Sequence, residues 1–120
     1  MRLLLVEDDS MNVTLFADVL EDAGHTVVVA RDGTRGRDLA LAERFDLCIF
    51  DIHLPGLRGD DAARALRAAG MTSPLIALSS SALASEVERG LGAGFDAYLT
   101  KPISPAELRE AVRRYGRPAA

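Results

Sequence analysis

Five side chains in this sequence are of the right types and spacing to do chemistry together. They are Glu7 and Asp8 in "LLLVEDDS", Asp51 in "CIFDIHLPG", Ser79 in "LSSS" and Lys101 in "YLTKP". Each lies at the end of a short apolar run. Three carboxylates in one pocket raise one another's pKa and disfavour the ionised state unless a cation joins them. A donor set made of oxygens alone suits Mg²⁺, which keeps waters and prefers carboxylates plus a phosphate oxygen. A lysine ammonium is a compact charge fitted to a phosphoryl oxygen, and a serine hydroxyl can donate to another. Each residue also has a plainer reading. Acids at strand ends are often solvated turn residues, as expected here for Asp46 and Asp96, and most lysines are simply exposed. For Glu7 and Asp8 alone the plainer reading is preferred; Asp51 on an adjoining strand would shift the balance towards a metal site.

That convergence depends on the elements beneath it. Apolar runs at 3–6, 27–30, 47–50 and 75–78, with a weaker one at 95–99, are continuous rather than alternating, which suits central parallel strands covered on both faces. Helical patterns lie between them. Met11, Leu15, Phe16, Val19, Leu20 and Ala23 form a stripe that Gly24 closes as a C-cap, and a second helix around 34–44 turns Leu39 and Ala40 inward. The third, at 60–70, is alanine-rich. The fourth, at 82–94, is weakened by Gly90 and Gly92, each costing about 1 kcal/mol relative to alanine. The last has Ser104 as N-cap, Pro105 in its first position and Glu107 completing a capping box, with Leu108, Ala111, Val112 and Tyr115 inward.

Strands alternating with helices over short loops predict an α/β fold, a flavodoxin-like (βα)5 doubly wound parallel sheet of strand order 2-1-3-4-5. In that order the first and third strands are neighbours, and ligands bind beyond the carboxyl ends of strands at the switch point between them. Glu7, Asp8 and Asp51 would then meet at one sheet edge, with Ser79 and Lys101 beside them. Asp9 fits a turn or helix cap better.

The chain has 120 residues, enough for one domain with a buried core, read as a domain over 1–116 and a tail at 117–120. A net charge of −4 argues against a nucleic-acid surface, and the arginines of "LREAVRRYGR" are interleaved with Glu107 and Glu110 as on a solvated helix face. Cys48 is the single cysteine, so a disulfide framework is excluded; a buried, inert thiol is expected. No run approaches membrane-span length and no signal peptide is present, so a cytoplasmic protein is expected.

Taken together, "VEDD", "FDIHLPG", "LSSS" and "YLTKP" resemble the receiver domain of two-component response regulators, in order and spacing, over essentially the whole chain. The stretch "VEDDSMNVTLFADVLEDAGH" is similar to stand-alone bacterial regulators of cell differentiation and to receivers of hybrid kinases. The resemblance implies that Asp51 accepts a phosphoryl group from a sensor histidine kinase or a histidine phosphotransfer protein. It implies Mg²⁺ held directly by Asp8 and Asp51, by Glu7 mostly through water, and by the backbone carbonyl of His53. Lys101 and Ser79 would engage the phosphoryl oxygens, and Ser79 with Tyr98 would form the switch, although a static half-buried tyrosine is the plain alternative for Tyr98. His53 and Ser81 would flank the attacking water and tune the phosphoryl lifetime. Pro102 resembles the family's cis proline, and Ser80 stands where the family usually has alanine.

Such a chain is not an enzyme acting on outside substrates; only self-catalysed phosphorylation and dephosphorylation are expected. With no output domain after Tyr115, a single-domain regulator acting through a downstream protein target is expected, as a monomer or a phosphorylation-dependent dimer. Kinases would approach over the first helix and the loop near Asp51, and the face made by the fourth helix, fifth strand and fifth helix would be remodelled. Three rivals remain. An aspartyl phosphohydrolase wants a second acid where His53 stands. A flavodoxin-type FMN carrier wants hydroxyls where Glu7 and Asp8 stand. A receiver-like module that is never phosphorylated is the third.

Overall fold

The computed structural model describes residues 1–118. Strands β1 (Arg2–Val6), β2 (Thr26–Ala30), β3 (Leu47–Asp51), β4 (Leu75–Ser79) and β5 (Ala97–Thr100) alternate with helices α1 (Ser10–Asp22), α2 (Gly33–Ala42), α3 (Gly59–Ala68), α4 (Ala84–Ala93) and α5 (Pro105–Tyr115). The strands form one parallel sheet in the order β2-β1-β3-β4-β5, as predicted.

Strand alternation divides the core in two. Leu3, Leu5, Leu47, Ile49, Ile76 and Leu78 pack against Phe16 and Leu20 of α1 and Leu108 and Val112 of α5. Leu4, Val6, Cys48, Phe50 and Ala77 point to the other face, where they meet Leu39, Leu66, Ala93 and Phe95. Both layers are apolar, which is why the three central strands carry unbroken hydrophobic runs. Two strands depart from expectation. β2 and β5 are the sheet edges, so Val27–Val29 and Ala97–Leu99 are only half-buried rather than covered on both faces.

Caps follow the side-chain chemistry. Asp9 is the N-cap of α1, its Oδ1 accepting from the Asn12 N–H at 3.0 Å, and Ser104 caps α5 through the Glu107 N–H at 3.1 Å. Gly24, past the end of α1, takes the left-handed backbone (φ +93°) that a glycine terminator favours. α4 starts two residues later than predicted and has no side-chain hydrogen bond at its N-cap, Leu83. Asp46 is not the solvated turn residue expected. It is buried, accepts from the Arg2 N–H at 2.7 Å and pairs with Arg44 at 2.9 Å. Asp96 is exposed but also engaged, with Arg67 at 3.2 Å and the Leu75 N–H at 2.9 Å. Of the expected tail, Arg117 donates its N–H to the Asp46 carbonyl, while Ala119 and Ala120 lie outside the described residues. Among the described residues no helix is long and apolar enough to cross a membrane.

Candidate functional site

Sheet register assembles the site. Val6 pairs with Phe50, so the next residues along, Glu7 and Asp51, emerge side by side at the carboxyl edge. Ser79 pairs with Thr100, and the Lys101 N–H donates to the Ser79 carbonyl at 2.7 Å, which places Lys101 at the same edge. One carboxylate oxygen from each of Glu7, Asp8 and Asp51 lies within 4.8 Å of the others.

These carboxylates differ in surroundings. Glu7 is 1% exposed and Asp51 5%, while Asp8 stands in solvent at the rim. Lys101 Nζ reaches both buried acids, 2.9 Å from Glu7 Oε2 and in direct contact with Asp51 Oδ2. The other Asp51 oxygen accepts the His53 N–H at 2.9 Å, and Glu7 Oε1 accepts the Asp9 N–H at 3.3 Å. Burial pushes the Glu7 carboxyl above its ordinary pKa and the Asp51 charge adds to this, against the pull of Lys101. Burial also works against the Lys101 ammonium, but its hydrogen bonds to Asp51 and Glu7 hold its pKa above the usual lysine value. Three carboxylates set against one ammonium leave the pocket with a surplus of negative charge. An all-oxygen donor set with that surplus fits a hard divalent cation such as Mg²⁺.

Of the remaining predicted residues, Ser79, His53 and Pro102 lie at the same edge, while Tyr98 sits within β5, paired with Ala77. Ser79 is fully buried and its Oγ accepts the Ser81 N–H at 3.1 Å. Tyr98 is turned inward and half-buried against the α2–α4 side of the core, its hydroxyl donating to the Ser81 carbonyl at 2.9 Å. Both hydroxyls thus hold the backbone of one residue, Ser81. The His53 side chain is exposed, and the Lys101–Pro102 peptide is cis.

Several contributors were invisible in the sequence. A Cβ at Gly59 would lie 2.1 Å from the Asp51 carbonyl oxygen, and one at Gly33 would lie 1.7 Å from that of Leu57. Both glycines therefore let helix starts press against the segment that follows Asp51. "PGLRGDD" carries a signal of this, a glycine at a helix start where its flexibility is otherwise a cost. Gly90 plays a matching part, because its missing Cβ makes room for the Tyr98 ring. Asp60, read in the sequence only as part of an alanine-rich helix, is buried and paired with two arginines.

Comparisons with known proteins agree with this geometry. Residues 3–113 match the family described as the response regulator receiver domain. The sensor protein GacS of Pseudomonas syringae is 36% identical over 119 residues, covering 95% of this chain and 13% of its own length. The transcriptional regulatory protein CusR of Escherichia coli is 38% identical over 113 residues, which are 94% of this chain and 50% of that protein. The chain thus spans half or less of these curated relatives. Among solved structures, the receiver domain of sensor histidine kinase PA1611 from Pseudomonas aeruginosa superposes with a TM-score of 0.88 at 37% identity, covering 95% of each chain, and holds a magnesium ion in its active-site cleft. The Francisella response regulator 1452 receiver domain gives a TM-score of 0.91 at 30% identity, over 95% of this chain and 94% of that one. With the fold, the acidic edge and the relatives in accord over nearly its whole length, this chain belongs to the response regulator receiver domains of two-component systems.

Proposed function

We propose that this chain accepts a phosphoryl group on Asp51 from a phosphohistidine of a sensor histidine kinase or a histidine phosphotransfer protein, and passes that state to a protein target. The observation that carries this reading is the setting of Asp51. It is buried at the switch point, with one oxygen held by the His53 N–H and the other by the Lys101 ammonium. A carboxylate so fixed is an oriented nucleophile, and a carboxylate oxygen needs no general base to attack phosphorus. An Asp51 oxygen forms the new O–P bond while the P–N bond breaks, and that electron pair stays with the departing imidazole. Lys101 offsets charge on the phosphoryl oxygens. Ser79 Oγ accepts the Ser81 N–H and keeps its own proton, which it can donate to a phosphoryl oxygen.

Mg²⁺ fits the acidic edge, where Asp8, Asp51, the His53 carbonyl and Glu7 would hold it; bound there it would supply the charge neutralisation that the carboxylates cannot. His53 and Ser81 stand beside the site to set the lifetime of the acyl phosphate. On α1, Met11 is exposed (83%) and Leu15 lines a cleft with Phe16, Ser80, Lys101 and Ile103, a surface suited to a kinase helix. The readout is the α4–β5–α5 face, through Ser79 and Tyr98. Turnover of outside phosphoesters is not part of this role.

The test is incorporation of phosphate from acetyl phosphate or a cognate kinase, followed by intact mass in the presence of Mg²⁺. One phosphoryl group on the wild type and none on Asp51→Asn is the expected result. Labelling of Asp51→Asn as fully as the parent overturns the assignment.

A further inference from the structure

Beyond Ser79 and Tyr98, a second connection joins the acceptor to α4. Asp60 lies in the first turn of α3 and its side chain is 2% exposed. Its Oδ1 accepts from Arg58 Nε at 3.1 Å, and its Oδ2 pairs with Arg89 Nε of α4 at 2.7 Å. Burial alone would raise the Asp60 pKa, but the hydrogen bond from Arg58 and the charges of Arg58 and Arg89 more than offset it, so the carboxyl stays below its ordinary value. The backbone that carries Asp60 is pressed against the acceptor. Gly59 donates its N–H to the Ile52 carbonyl at 2.9 Å, and its α-carbon leaves no room for a Cβ beside the Asp51 carbonyl. Glu86, also on α4, acts on Arg58. Charges of alternating sign therefore run from the loop after Asp51 into α4.

The geometry points to Asp60 as a positioning residue: its ion triad with Arg58 and Arg89 couples the loop that follows the phosphoacceptor to helix α4, as a route separate from Ser79 and Tyr98. This rests on the reading of Asp51 given above. A triad that served only to hold the fold would be replaceable by apolar packing with little loss, because exchanging a buried ion group for well-packed hydrophobic side chains is often neutral or stabilising. A coupling role would not survive that exchange.

The full chain is examined by hydrogen exchange with and without saturating beryllofluoride and Mg²⁺, a mimic of the bound phosphoryl group. Variants are Asp60→Leu, Arg89→Gln and Arg89→Lys. In the wild type, amides of residues 84–93 change protection when the mimic binds. In Asp60→Leu and Arg89→Gln that change falls at least threefold, and Arg89→Lys, which keeps the charge, retains most of it. Arg89 is half-exposed, so Arg89→Gln folds even if Asp60→Leu does not. A wild-type α4 response in a folded Asp60→Leu or Arg89→Gln variant that carries the mimic overturns the inference, and so does a wild type whose α4 is unmoved by the mimic. A wild type that fails to bind beryllofluoride at all overturns the reading of Asp51 instead.

Discussion

Alanine in place of Gly92 should stabilise this protein, and alanine in place of Gly90, two residues earlier in the same helix, should destabilise it. Either substitution in a helix removes a conformational cost of about 1 kcal/mol. At Gly92 nothing lies within 4 Å of the new Cβ, so the gain is realised, somewhat reduced near the helix end. At Gly90 the Cβ would stand 2.9 Å from Cδ2 and 3.1 Å from Cε2 of Tyr98. Overpacking of that kind costs about 1–3 kcal/mol. If the ring swings away instead, the bond from its hydroxyl to the Ser81 carbonyl, worth about 1 kcal/mol, is lost together with the packing of the half-buried ring against the core, worth about 1 kcal/mol more. The propensity gain is cancelled in either case, leaving Gly90→Ala about 1 kcal/mol below wild type. For a chain of this size 1 kcal/mol corresponds to roughly 4 °C in Tm, so the two variants should melt about 6–8 °C apart, on opposite sides of wild type. Thermal and urea unfolding followed by far-UV circular dichroism measure this directly. In a Tyr98→Ala background the obstacle is gone and Gly90→Ala should become stabilising. A Gly90→Ala protein that gains as much as Gly92→Ala with Tyr98 intact would refute the argument, since the ring would then not be packed where the structure has it.

Other outcomes follow from the acidic edge and the core. Asp51→Asn removes one of three crowded carboxylates, while the amide oxygen can still accept the His53 N–H and Lys101 keeps Glu7; with chelator present the variant should be more stable by about 1 kcal/mol, and millimolar Mg²⁺ should raise the urea midpoint of wild type but not of the variant. Cys48 is wholly buried and its thiol is pushed up to about 12, so at pH 8 about one thiol in 10⁴ is thiolate; alkylation should proceed only at the rate of unfolding, and fast labelling of native protein would contradict the packing. Against its burial, the hydrogen bond from Arg58 and the charges of Arg58 and Arg89 hold the Asp60 carboxyl below its ordinary pKa, so its ion pairs contribute fully above the unfolded value and are lost as pH falls through the folded one. Urea midpoints measured from pH 5 to pH 2 should therefore fall less steeply for Asp60→Leu than for wild type.

How much of this was legible beforehand differs by residue. The runs ending at Val6, Phe50 and Leu78 could be read as strands because both faces of the central sheet are apolar, and the strand order then required Glu7 and Asp51 to meet. Asp9 and Ser104 were legible as caps because the bond they make is local, three residues along the chain. What escaped was set by contacts between distant segments. Gly90 reads as a helix weakness, and only the Tyr98 ring beside it shows what that weakness accommodates. Asp60 has the composition of a helix N-terminus, where acids usually face water; its partner Arg89 is on another helix, and no periodicity reports such a pair. Asp46 was misread for the same reason, since a strand-end acid bonded to the Arg2 backbone of a neighbouring strand is indistinguishable in sequence from a solvated one.

Two lines of contact therefore lead from Asp51 to α4. One passes through Lys101, whose N–H holds the Ser79 carbonyl, and on through Ser79, Ser81 and Tyr98 to Gly90. The other passes through Gly59 and Asp60 to Arg89. They converge on a helix with two internal glycines and no side-chain hydrogen bond at its N-cap, the kind of low-stability segment that moves first when its contacts change. Contiguity is not coupling, and energies decide between a shared route and two independent ones. Tyr98→Phe cuts the first line by removing one hydroxyl, and Arg89→Gln cuts the second. If the routes are independent, their effects on beryllofluoride affinity add, to within about 0.5 kcal/mol, in the double variant. A double variant no worse than the weaker single one would mean that Tyr98 and Arg89 report a single motion of α4, with the ion triad and the tyrosine as two ends of one lever.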